Sequence, residues 1–217
     1  MTTTTITAAH LSNVDGGDRG SALRRTLTLL MVWFFAALWL GVSGAARGGA
    51  GKPPLLLAVA VTLPLLVFAA DARLGWRLFR GLAQLSLPVV MAVQTFRIGG
   101  VFFVIAWMNG ELPGAFALPA GLGDIAIGAA APFVAAAVAD GRPRARSLAL
   151  AWNVLGVADL VAALFLGVTH SSSSLGVFAT SLTTDTLAVY PFSLIPMFLV
   201  PLAFMLHALA LRRLPRR

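Results

Sequence analysis

The sequence predicts an all-α fold, a polytopic membrane bundle of six transmembrane helices with both termini cytoplasmic. Three observations predict it. Of the 217 residues, 59% are hydrophobic and 11% are charged, against roughly half and about a quarter in soluble domains. Apolar runs with few charges recur along the chain, several of them near the roughly 20 residues that a helix needs to cross hydrocarbon. The basic residues between these runs fall almost entirely on one side once the runs are counted.

Residues 1–25 hold a threonine run followed by Asn13, Asp15, Gly16, Gly17, Asp18 and Arg19. No apolar period is sustained there, which predicts a disordered cytoplasmic tail. The six-helix domain is expected over 26–212 and a basic tail over 213–217. Arg24 and Arg25 introduce the first span, at about 27–46. Its small residues Ser43, Gly44, Ala45 and Ala46 would also suit a cleaved signal peptide. The long polar lead and the spans that follow favour a retained helix.

The second span, about 54–70, opens on Pro53 and Pro54, where a missing N–H costs little. Pro64 inside it predicts a kink or a loosened turn. The linker that follows mixes Asp71, Arg73, Arg77 and Arg80 with Trp76. It reads as an interfacial segment, with the indole at headgroup level and the arginines snorkelling.

The third span, about 87–108, carries Gln94, Arg97, Gly99 and Gly100. The fourth, about 113–139, contains Pro119, Pro132 and many small residues. A fifth, about 148–169, holds Asn153 and Asp159. After a Ser/Thr-rich loop the sixth, about 187–211, contains His207 and a proline every five residues at Pro191, Pro196 and Pro201. Each proline leaves the carbonyl four residues earlier, at Leu187, Phe192 or Met197, without its helical donor. That predicts either a hinge or a wall of polar backbone, or packing alone.

Thirteen of the sixteen Lys and Arg residues lie in the N-terminal tail, the second-to-third and fourth-to-fifth linkers and the C-terminus. An even number of spans separates each of these groups from the next. Arg47 and Lys52 are the only basic residues expected on the opposite side. Basic loops stay cytoplasmic, so both termini are expected there, in a bacterial cytoplasmic membrane. The net charge of +8 is thereby accounted for without a nucleic-acid partner.

The absence of cysteine excludes disulfides, thiolate metal sites and iron–sulfur clusters. No phosphate loop, His-Glu-x-x-His or Gly-x-Ser-x-Gly motif is present, so no cofactor and no metal are expected. Expected partners are the bilayer and a proton or small polar solute, with homo-oligomerisation left open.

Chemistry is expected where charge enters a span, since an ionisable group at mid-bilayer is costly and needs a partner or a purpose. Arg97, Asp124 and Asp159 each lie ten or eleven residues from the outer end of their spans, roughly 15 Å at about 1.5 Å per residue. All three therefore fall near one plane. Small residues three and four positions away share their faces: Ala120, Gly121 and Gly128 beside Asp124, Gly156 and Ala163 beside Asp159. Gln94 and Gly100 flank Arg97 in the same way.

The predicted binding cluster is thus Arg97, Asp124 and Asp159, with Gln94 as an added hydrogen-bond partner. Two carboxylates against one guanidinium make a proton or cation site conceivable. A helix lock between Arg97 and Asp124, with Asp159 a bystander, is the simpler alternative. Asn153 and His207 form a second tier nearer the cytoplasm, where His207 is either a relay or a satisfied helix-end histidine.

Gly121-x-x-Asp124 and Gly156-x-x-Asp159 echo each other across 35 residues, a weak hint of inverted symmetry. Three functions remain: a proton-linked carrier or permeation protein, a non-catalytic structural or assembly subunit, and a membrane enzyme acting on a lipid-soluble substrate through an aspartate or His207. No catalytic residue is assigned.

Overall fold

Helices carry the whole architecture. The computed structural model describes residues 3–48 and 51–214, with side chains from Gly20 onward. The ends of the two expected tails, Met1 and Thr2 and residues 215–217, lie outside the described residues. Among the described residues there is no β-strand, only a single bridge between Gly51 and Ser173. Six helices are long and apolar enough to cross a membrane.

The first, α1, runs Thr3–Ser43, and its apolar part begins at Gly20. Helix therefore covers Thr3 to Arg25, where the lack of an apolar period predicts none. Extending a nucleated helix adds one hydrogen bond per residue fixed, far cheaper than starting one. The others are α2 (Leu55–Arg73), α3 (Leu87–Met108), α4 (Gly114–Ala139), α5 (Ala145–Thr169) and α6 (Ile195–Arg213).

A short helix, Arg80–Gln84, interrupts the linker between α2 and α3. Asp71 is buried and sets the turn before it: its carboxylate accepts from the backbone N–H of Arg77, Leu78 and Phe79 at 2.8–2.9 Å. Arg213 donates to the carbonyls of Leu82, Ala83 and Leu85, closing the short helix at its other end, where carbonyls lack intrahelical donors. Trp76 packs on Phe68 and lies under the Arg212 guanidinium, 5.3 Å from its ring centre.

Two spans depart from regular helix. The middle of α3, Gln94–Gly100, is a 3-10 helix between α-helical segments Leu87–Val93 and Val101–Met108. A period of three stacks Gln94, Arg97 and Gly100 on one face, and these are the buried residues of the segment.

The sixth span is shorter than predicted. It starts at Ile195, while Thr184–Ala188 forms a separate 3-10 turn and Pro191 lies outside the helix. Proline fits a first helical turn, where its missing N–H costs little, and Pro196 falls there in a helix that starts at Ile195. The first turn, Ile195–Leu199, is a π-helix continued by α-helix Val200–Arg213.

Of the carbonyls expected to lose donors to proline, Phe192 O accepts from Ile195 N at 3.0 Å. Met197 O is satisfied from another helix: Trp33 Nε1 of α1 donates to it at 3.0 Å. Trp33 and Phe34 also pack against Phe198. A polar backbone group freed by proline thus becomes one anchor of α1, beside Thr26, which donates to Leu78 O and accepts from Gly81 N.

The bundle centres on α4, which packs along α3 on one side and α5 on the other. Hydrophobic burial gives little drive between helices in lipid, so close backbone approach carries more of the association. A Cβ on Gly121 would lie 2.8 Å from Gly100 O, and one on Gly128 would lie 2.6 Å from Ile98 N. Only glycine at these positions lets α3 and α4 come so near.

Two of the apolar layers that result lie on either side of Asp124. One, toward the end where α6 finishes, includes Val90, Met91, Ile127, Ala131, Trp152, Met205 and Leu206. The other, toward the opposite end, includes Phe103, Ala106, Phe116, Ala117 and Ala120. Along α4, Asp124 falls between Ala120 of one layer and Ile127 of the other.

Candidate functional site

The guanidinium of Arg97 lies between those layers with its side chain 1% exposed. Its five N–H groups point in fixed directions, and three other spans meet them. Nε donates to Asp124 Oδ1 of α4 at 2.7 Å. Nη2 donates to Asp159 Oδ2 of α5. Nη1 faces two acceptors, Gly156 O of α5 at 3.3 Å and His207 Nε2 of α6 at 3.0 Å.

The three residues predicted to share a plane therefore converge on one another. Each carboxylate gives one oxygen to Arg97, and their side chains remain 12% and 15% exposed. The second oxygens, Asp124 Oδ2 and Asp159 Oδ1, are not engaged by the guanidinium. Charge at the centre is unequal, two carboxylates to one cation.

His207 and Asn153 do not form a separate tier. Arg97 only donates, so His207 Nε2 accepts and the ring proton sits on Nδ1. Nδ1 then donates to Asn153 Oδ1 at 2.9 Å, and Asn153 Nδ2 donates to Ala149 O at 2.7 Å. The chain of bonds Arg97, His207, Asn153, Ala149 is consistent in donors and acceptors throughout. The length of the arginine side chain bridges the expected gap in depth between the tiers.

Gln94 departs from expectation. It is buried one 3-10 turn from Arg97, but its Nε2 donates to Ala203 O of α6 at 3.3 Å. Its Oε1 has no hydrogen-bond partner among the described residues. It ties α3 to α6 and adds nothing to the Arg97 hydrogen bonds.

Close packing of α4 and α5 also rests on a glycine that the i±3 and i±4 rule passes over. A Cβ on Gly123 would overlap Asp159 Oδ1. The signal was present in the sequence as Gly121-Leu122-Gly123-Asp124: one glycine faces α3 and the other α5. A Cβ on Gly156 would likewise overlap the His207 ring. Trp152, also unpredicted, lies 5.1 Å from that ring and donates through Nε1 to Ile127 O at 3.0 Å, fixing α5 on α4 beside the site.

Gly123→Ala is expected to push Asp159 off Arg97 and cost about 1–3 kcal/mol, the usual range for overpacking. Thermal unfolding in detergent should show the loss. Leu122→Ala, at a position 56% exposed, should leave the transition nearly unchanged.

A family model described as a domain of unknown function (DUF8737) matches residues 54–215. The chain belongs to the DUF8737 family. The match takes in α2 through α6, and with them every side chain of the Arg97 cluster, while α1 precedes it. No curated protein and no solved structure matches the chain.

Proposed function

We propose that this DUF8737 protein is a proton-linked carrier or permeation protein of the bacterial cytoplasmic membrane, with both termini in the cytoplasm. In this proposal its Arg97, Asp124 and Asp159 cluster binds a proton, a cation or a small polar solute. The distribution of arginine supports the orientation.

One observation carries the functional reading: two carboxylates share a single buried guanidinium, and each retains an oxygen that Arg97 does not engage. Complete neutralisation would require one carboxylate per guanidinium. The second carboxylate gives the site a place for one positive charge, and ionisable groups inside a span mark ion and proton paths by default. The partial exposure of both acids supports access by a small species.

A second reading has its own observation. Arg97 bonds to α4, α5 and α6 from α3, which suits a lock that fixes four spans in a structural or assembly subunit. The two readings separate in proteoliposomes. The carrier reading expects proton flux in the wild type and its loss in Asp124→Asn and in Asp159→Asn, with the variants still inserted. Equal flux in wild type and both variants overturns it.

A further inference from the structure

Outside the cluster, the feature that carries an inference is the outer face of α1. Arg24, Leu27, Thr28, Met31, Val32 and Phe35 line one open groove, and Arg25, Thr28, Leu29, Val32 and Leu78 line a second. Thr28 and Val32 belong to both, so they form a ridge one helical turn long with a groove on either side. Each groove has an arginine at the same end. Both arginines are exposed, and Leu27, Met31, Val32 and Phe35 are each at least half exposed.

We propose that these grooves hold the two acyl chains of one anionic phospholipid, with its phosphate between Arg24 and Arg25. The chemistry of the wall decides the occupant. Beyond the arginine end the grooves are lined by apolar side chains, and the Thr28 hydroxyl is turned back onto Arg24 O at 3.0 Å. The remaining surface suits hydrocarbon, while two exposed arginines, one at the same end of each groove, suit a phosphate that carries net negative charge.

A second copy of the chain fits poorly. A twofold contact through this face would set Arg24 and Arg25 against their own copies. A zwitterionic lipid fills the grooves equally well but brings an ammonium to the arginines. The site lies on α1, with only Leu78 of the second groove inside the matched family region, and does not depend on the Arg97 cluster.

Native mass spectrometry of the full chain tests this, with phosphatidylglycerol and phosphatidylcholine of identical acyl chains added in competition. The expected result is one retained phosphatidylglycerol per chain, preferred at least roughly tenfold. Arg24→Gln with Arg25→Gln should abolish the preference, whereas Arg142→Gln with Arg144→Gln should keep it. Single-chain lyso-phosphatidylglycerol should bind more weakly than the diacyl lipid.

Equal retention of the two lipids by the wild type overturns the proposal without any variant. So does a preference that survives loss of Arg24 and Arg25, or one lost equally in the Arg142 and Arg144 control. Lyso-lipid binding as tight as the diacyl form overturns the two-groove assignment. A dimer sealed through α1 would overturn the choice of occupant.

Discussion

Arg97→Met is expected to destabilise the folded bundle by roughly 3–5 kcal/mol, the range for removing one partner of a buried ion pair. The side chain keeps much of its length, so lost volume is not the main cause. Asp124 and Asp159 would remain side by side with no cation, His207 Nε2 would lose its donor, and Gly156 O would lose the one that Arg97 adds to its helical bond. Thermal unfolding in detergent, with recovery of monodisperse protein as a second readout, measures the effect. Arg97→Lys should fall between, because one ammonium carries the charge but cannot reproduce a fork that reaches three helices. A methionine variant as stable as the wild type would remove Arg97 from the account of the fold.

Neutralising one carboxylate has the opposite logic. Asp159→Asn or Asp124→Asn leaves one carboxylate for one guanidinium, and the amide oxygen can still accept from Arg97. Each single variant should therefore stay within about 1 kcal/mol of wild-type stability while proton flux is lost. Asp124→Asn combined with Asp159→Asn strands the buried cation, and about 3–5 kcal/mol of stability should go with it. The cost of the double change would then greatly exceed the sum of the singles, the signature of coupled sites. A lock built on Arg97 and Asp124 alone predicts otherwise: a large cost for Asp124→Asn, none for Asp159→Asn, and simple addition.

Much of this was legible in the sequence because membrane spans leave few ways to hide a charge. Depth follows from helical rise and span ends, and it placed Arg97, Asp124 and Asp159 at one level. Lateral direction was harder. Depth taken from backbone positions sets His207 in a separate tier, because the reach of the Arg97 side chain does not enter that count. Gln94 shares the buried face with Arg97, yet sharing a face decides burial and not the partner, and its amide went to Ala203 O.

The 3-10 segment of α3 and the π turn of α6 are invisible to hydropathy, which sees length and apolarity alone. Prolines at five-residue spacing suggested one irregular helix. The chain instead starts that helix at Ile195, where Pro196 falls in a first turn. The tie from Trp33 to Met197 O could not be read either, since it joins residues 164 positions apart and needs the tertiary arrangement.

In the proposed function, the carboxylate in excess of Arg97 exchanges a proton between the spans. Infrared difference spectroscopy of reconstituted protein across the pH range in which it stays folded measures this directly. A protonated-carboxyl C=O band that grows as pH falls in the wild type, and is lost or displaced in Asp159→Asn and Asp124→Asn, is the predicted result. No pH-dependent carboxyl band in the wild type, or one unchanged in both variants, would contradict it and leave the cluster as a lock.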